Sequence, residues 1–197
     1  MQRVIVVLTA RFTGPKRSMY EARFRWWNNS EHKLVVTNSA NMTYESESAF
    51  SRIRFVHVPG IDRHGMSRGE AASLLYLQRV ADLENASWLV KVTAKYIVPD
   101  LTAHLENASC ELCVQSSGRA GARSSELFAF RPHAGVFASL RRRNFSRCEH
   151  ACWKCANCVE NWLRALTLRR VTCYFPVIPI DPSWRIPRSH GGALEHL

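Results

Sequence analysis

Hydrophobic and polar positions fall into two alternating regimes along the chain, short β-branched runs and longer stretches of helical period. Arg3 to Thr9, Arg-Val-Ile-Val-Val-Leu-Thr, is an apolar run closed by a polar loop containing Gly14-Pro15, the pattern of a central strand buried on both faces. From about Ser18 to Trp27, Tyr20, Phe24 and Trp27 recur at helical spacing and predict a helix whose apolar face packs on the sheet. Lys33 to Thr37 and Ile53 to Val58 predict two further strands, ended by Asn38-Ser39 and Pro59-Gly60. An amphipathic helix starts at Ser67 and carries Ala71, Leu74, Leu75, Leu77 and Val80; Ser67 with Glu70 three positions on forms a capping-box pattern. Trp88 to Val92 is the fourth strand, apolar enough to be buried on both faces.

The second half is less regular. Pro99 to Leu105 predicts a short helix, Cys110 to Gln115 a short strand, and Ser125 to Arg131 a strand rich in Phe. Pro132 reads as the first residue of a helix reaching about Leu140, where proline is favoured. After the basic loop Arg141 to Arg147, a helix from about Cys158 to Leu168 places Val159, Trp162, Leu163 and Leu166 on one face. The tail from Tyr174 reads as irregular structure wrapping the sheet. Strands alternating with helices imply an α/β fold, a single domain with a mostly parallel sheet flanked by helices.

Composition narrows the partners. With 197 residues, 46% of them hydrophobic and 22% charged, the chain fits one globular domain with a sizeable core. A net charge of +11 points to an anionic partner: a nucleotide, a phosphate, nucleic acid or an acidic surface. No apolar run approaches the roughly 20 residues of a membrane-spanning helix, and Met1 to Ala10 is too short and strand-like for a signal peptide. The chain as given therefore reads as soluble and cytoplasmic. Seven cysteines and the sequons at Asn28, Asn41, Asn85, Asn107 and Asn144 leave a Golgi or ER lumen open, provided an N-terminal anchor is missing.

Candidate chemistry gathers where the fourth strand turns polar, at Lys91, Thr93 and Lys95. In open α/β sheets ligands bind beyond the carboxyl ends of the strands, although a Lys-x-Thr-x-Lys alternation also suits the solvent face of an edge strand. Six of the cysteines lie in two clusters. Cys110-x-x-Cys113 and Cys155-x-x-Cys158 are knuckle-like pairs, with Cys148, His150 and Cys152 near the second. They suit a structural zinc held by Cys110, Cys113, Cys155 and Cys158, disulfides, or free thiols.

The helix Glu70-Ala71-Ala72-Ser73-Leu74-Leu75-Tyr76, followed by Lys91-Val92-Thr93-Ala94-Lys95-Tyr96-Ile97-Val98-Pro99, resembles a loosely defined group of small glycosyltransferase-like proteins. These have the nucleotide-diphospho-sugar transferase fold of GT-A type. The resemblance extends to Asn38-Ser39, Glu126 to Arg131, Val159-Glu160 and Arg188 to Gly192. It implies a transferase moving a sugar from a nucleotide-diphosphate donor to a glycan or glycoside acceptor, with residues 1–100 forming roughly the nucleotide-binding half and 101–197 the acceptor-side half of one domain. It implies Thr9, Arg11, Lys91, Thr93, Lys95, Arg188 and His190 on the donor. Glu160 is the first candidate for the catalytic carboxylate and Glu126 the second, although a Glu in a first helical turn also simply favours the helix dipole.

Ordinary GT-A enzymes carry an Asp-x-Asp pair at this strand end to bind a divalent cation. The two lysines here imply that no catalytic cofactor is needed, the ammonium groups neutralising the diphosphate directly. Two departures stand out: Ala94, where the group has glycine, and His190-Gly191-Gly192, where an acidic residue is expected between the glycines. Ala94 motivates a further alternative, a degenerate transferase fold retained for interaction. Another is a zinc-stapled basic module gripping nucleic acid through Arg141, Arg142, Arg143, Arg147, Arg164, Arg169 and Arg170. It lacks a recognisable reading motif, and nucleic acid is the less favoured partner.

Overall fold

A computed structural model describes residues 3–10, 17–38, 47–58, 66–80, 86–116, 123–132, 135–142 and 158–175. Within them the strands are β1 (Val4–Ala10), β2 (Lys33–Asn38), β3 (Ile53–His57), β4 (Trp88–Thr93), β5 (Leu112–Ser116), β6 (Arg123–Phe130) and β7 (Thr172–Phe175). The helices are α1 (Arg17–Asn28), α2 (Met66–Val80), α3 (Leu101–Glu106), α4 (Val136–Arg142) and α5 (Cys158–Thr167). One sheet has the order β3-β2-β1-β4-β6-β5-β7. All adjacent pairs are parallel except the two made by β6, so one reversed strand sits in an otherwise parallel sheet.

Strand alternation sorts the core into two layers. Val4, Val6 and Leu8 of β1 join Tyr20, Phe24 and Trp27 of α1 and Leu101 and Leu105 of α3 on one face. Ile5 and Val7 join Ala71, Leu74 and Leu77 of α2, Phe137 of α4 and Trp162 of α5 on the other. A sheet covered on both faces needs continuous apolar strands, which is why β1 and β4 read as unbroken hydrophobic runs.

Three features differ from the sequence reading. Ser67 lies inside α2, which already runs at Met66, so it is not the helix cap, and Glu70 turns to Lys91 instead. Pro132 stands ahead of α4 rather than opening it; Gly135, at φ 70°, precedes Val136 and takes a backbone conformation that favours glycine. The segment at Tyr174 belongs to an edge strand, β7, paired parallel to β5.

Candidate active site

The topology singles out one crevice. From β1 the chain moves to β2 and β3 on one side, then returns to place β4 on the other, so the carboxyl ends of β1 and β4 flank a switch point. Thr9 and Thr93 are register partners there. β4 is hydrogen-bonded on both sides, to β1 and β6, which removes the edge-strand reading of its Lys-x-Thr-x-Lys pattern.

The turn leaving β4 is pinned by its surroundings. Ala94 N–H donates to Thr9 O at 2.9 Å and Tyr96 N–H to Thr93 O at 3.0 Å. From α1, Trp27 Nε1 donates to Tyr96 O at 3.0 Å and Arg23 Nε to Lys95 O at 3.3 Å. Among the described residues Asp100 is the non-glycine with positive φ, so Ala94 occupies its buried place without left-handed strain.

Alternation decides what the strand-end residues meet. Trp88, Val90 and Val92 face the α1 layer, so Lys91 projects toward α2 and α5. It is fully buried, ion-paired with Glu70 of α2, and its Nζ donates to Thr93 Oγ1 at 2.9 Å. The Phe128 ring centroid lies 5.9 Å from that ammonium. Lys95, beyond the strand, pairs with Glu126 of β6 at 2.7 Å and sits 4.9 Å from the Tyr96 ring centroid. Glu160, in the first turn of α5, is close enough for its charge to act on Glu70.

These neighbours push the carboxyls in different directions. Burial raises the pKa of Glu70; Lys91 opposes it by charge and hydrogen bond, while Glu160 and Glu126 reinforce it, and the value ends above the ordinary one. Burial also disfavours charge on Glu126, but Lys95 and Lys91, with hydrogen bonds from Lys95 and Thr93, outweigh it and hold Glu126 below its ordinary value. For Lys95, burial is opposed by Glu126 and Tyr96, and the ammonium is held above its ordinary value.

Of the residues singled out from the sequence, the structure brings Lys91, Thr93, Lys95, Glu126 and Glu160 into one cluster, with Thr9 on the adjoining strand. Arg11, Arg188, His190 and Cys155 lie outside the described residues, and Cys158 is placed only as the first residue of α5. Lys91 does not stand at an open rim: with no exposed surface and Glu70 on its ammonium, it is shut off from direct contact with a ligand. Glu70 joins this cluster as a residue that the motifs of the sequence do not mark as part of a site. Its spacing to Leu74 and Leu77 puts it at the head of the buried stripe of α2, and a charge there calls for a buried partner. Cys173 is a further neighbour of the first cysteine pair: the Sγ atoms of Cys110, Cys113 and Cys173 all lie within 4.8 Å of one another. Of the basic residues proposed for nucleic acid, Arg141, Arg142, Arg164 and Arg169 are exposed on or just beyond α4 and α5, whereas Arg170 pairs with Glu111 at 2.9 Å.

Among the described residues at the strand end, ammonium groups engage the carboxylates of Glu70 and Glu126, whereas a magnesium or manganese ion takes several free oxygen ligands.

No protein-family model matches the chain, and a search of curated protein sequences finds no match. Solved structures do match. A protein assigned as a nucleotide-diphospho-sugar transferase from Desulfovibrio desulfuricans G20 aligns with a TM-score of 0.55 at 11% identity, over 89% of this chain and 80% of its own. The glycosyltransferase GlyE of Streptococcus pneumoniae TIGR4 aligns with a TM-score of 0.58 at 12% identity, over 88% of this chain but 45% of its own. An active-site mutant of LgtC aligns at 0.53 and 12% identity, over 86% and 72% of the two chains. LgtC is named as a galactosyltransferase in a complex with donor and acceptor sugar analogues, which also aligns. The chain therefore has the mostly parallel, helix-flanked fold of the GT-A nucleotide-diphospho-sugar transferases.

Proposed function

We infer that the protein is a glycosyltransferase that moves a sugar from a nucleotide-diphosphate donor to a hydroxyl of a glycan or glycoside, at the carboxyl edge of β1 and β4. The observation carrying this reading is the partly open Lys95–Glu126 pair at the switch point of a GT-A sheet, backed by the sealed Lys91–Glu70 pair. Lys95 is the cation that meets the diphosphate, exchanging Glu126 for phosphate oxygen as negative charge builds on the leaving group. The hydroxyls of Thr9 and Thr93 line the same edge. Lys91 is a positioning residue that holds Thr93 and Glu70.

On the acceptor side Glu160 takes the hydroxyl proton as the new glycosidic bond forms and the bond to the diphosphate oxygen breaks. Glu126, held ionised, is a weak base and serves better as a hydrogen-bond acceptor for a sugar hydroxyl. Three carboxylates against two ammonium groups cannot neutralise a diphosphate alone. The remaining positive charge comes from the chain's surplus, with Arg11 and Arg188 as candidates offered by the sequence and His190 as a further one when protonated. The reading is of a transfer that needs no divalent cation at this strand end.

A donor screen tests it. Sugar nucleotides are added to the full chain with and without chelator, and both thermal midpoint and donor turnover are followed. A specific sugar nucleotide should stabilise the protein equally with or without chelator, and Glu160→Gln should keep that stabilisation while losing turnover. If no sugar nucleotide stabilises or is consumed, while nucleic acid is retained with steep salt dependence, the basic-module reading replaces this one.

A further inference from the structure

The three thiols at the β5–β7 end of the sheet come from two stretches of chain. Cys110 lies in the bend before β5, Cys113 on β5, and Cys173 on β7 as the register partner of Cys113. Residues three apart on an extended strand are about 10 Å apart and point to opposite faces. The bend at Cys110 and Glu111 instead brings Cys110 Sγ to 3.4 Å from Cys113 Sγ. That separation is far beyond the roughly 2.05 Å of a disulfide. Four zinc–sulfur bonds of about 2.3 Å in a tetrahedron put neighbouring sulfurs about 3.8 Å apart, and the three atoms here, all within 4.8 Å of one another, need only small shifts to reach that spacing.

The surroundings suit a thiolate–metal centre. Arg131 donates to Cys110 O and Ala108 O, both at 3.1 Å, and so holds the bend while placing a guanidinium beside a site whose three thiolates exceed the charge of a divalent ion by one. The guanidinium is itself fixed 4.5 Å from the Trp88 ring centroid. Cys110 and Cys113 are buried and Cys173 is half-buried, leaving solvent a route to the fourth corner. Cys113 belongs to the α1 layer, the opposite face of the sheet from Lys91, so this site is separate from the strand-end cluster.

We propose that Cys110, Cys113 and Cys173 bind a zinc-class, thiophilic divalent ion, with water at the fourth corner, and that the ion staples the short edge strand β7 to β5. Loading replaces three S–H protons by metal–sulfur bonds and releases them to solvent, with no change of oxidation state. Bonds from one ion to both strands would fasten an edge that otherwise relies on a four-residue ladder.

The test uses the reduced, metal-stripped full chain titrated with Co²⁺ alone and then with Zn²⁺. The expected result is thiolate-to-cobalt absorption with tetrahedral-type visible bands at one equivalent, displaced by zinc. A variant with Cys148, Cys152, Cys155 and Cys158 all changed to Ser should keep these bands, and Cys173→Ser in that background should weaken cobalt binding by at least about 100-fold. Because serine at a core position can disturb folding, zinc protection of Cys173 from alkylation is read in the unaltered chain by mass spectrometry. Absence of the bands in the parent, their loss in the fourfold variant, or alkylation of Cys173 at the same rate with and without zinc overturns the proposal.

Discussion

Two ion pairs use lysines four residues apart, one within β4 and one just beyond its end, and they differ in how far water reaches them. Lys91–Glu70 is sealed, with side chains 0% and 17% exposed; Lys95–Glu126 is partly open, at 24% and 28%. The same residue types titrate in opposite directions: Glu70 is pushed above its ordinary value and Glu126 below it. Burial is the largest influence on both. It prevails at Glu70, where two other carboxylates assist it, and fails at Glu126, where two lysines and a threonine hydroxyl oppose it. The inner pair is part of the scaffold, committed to holding α2 against β4. The outer pair keeps both of its side chains partly in reach of solvent.

The largest expected effect comes from breaking the inner pair. Lys91→Met leaves Glu70 without its counter-ion in a nearly dry site and should cost about 3 kcal/mol in urea unfolding at neutral pH. The loss should shrink in acid, where Glu70 accepts a proton. Lys91→Met with Glu70→Leu removes both charges and should recover most of the stability. If the double variant is no better than the single one, the inner pair is not the isolated unit described above.

Lys95→Ala should divide the two pairs functionally. Its stability cost should be about 1 kcal/mol, as for pairs with access to water, whereas kcat/KM for the sugar nucleotide should fall about 100-fold. Equal losses of stability and no loss of turnover for Lys91→Met and Lys95→Ala would erase the distinction.

Acid titration of stability separates the pairs by sign. The folded value of Glu126 lies below its unfolded value near 4.5, so its contribution is present above that pH and is lost as pH falls through the folded value. The folded value of Glu70 lies above 4.5, so stability declines as pH rises from 4.5 to that value. Glu126→Gln should therefore flatten the acid limb of a plot of unfolding free energy against pH. Glu70→Gln should remove the decline above pH 4.5. Curves for both variants parallel to the parent's would contradict these assignments.

The contrast between pairs was half legible in the sequence, and the reason is geometric. Strands β1 and β4 announce themselves as unbroken apolar runs because both of their faces are covered, and helices α1 and α2 because each buries one apolar face whose period is written in nearby residues. Lys91, Thr93 and Lys95 stood out because they break such a run. What the sequence did not show was depth: alternation assigns Lys91 to a face, but its burial depends on α2 and α5 lying over that face, and on Glu70 meeting it across the layers. By sequence Glu70 fits a capping residue, because Ser-x-x-Glu spacing at a helix start also suits a glutamate that turns to the sheet. Strand β7 escaped because four residues carry too little period to be recognised, and with it went the third thiol. β5 and β7 meet only after the chain has run from Ser116 to Thr172, a separation that local patterning does not encode.

The smallest effect is the most informative about how the two pairs communicate. Thr93 accepts a hydrogen bond from Lys91 and donates one to Glu126, so a single hydroxyl joins the sealed pair to the open one. Thr93→Val keeps the volume and β-branching of the strand but removes this bridge, and should cost about 1 kcal/mol of stability. If the bridge transmits, Glu126 loses one of the influences keeping it ionised, and its midpoint by NMR titration should rise in Thr93→Val while Glu70 keeps its raised value. A double-mutant cycle combining Thr93→Val with Lys91→Met should show a coupling of about 0.5 kcal/mol or more. Additivity, with the Glu126 midpoint unmoved, would mean that the pairs are neighbours without being partners, and that Lys91 contributes to the site only by filling it.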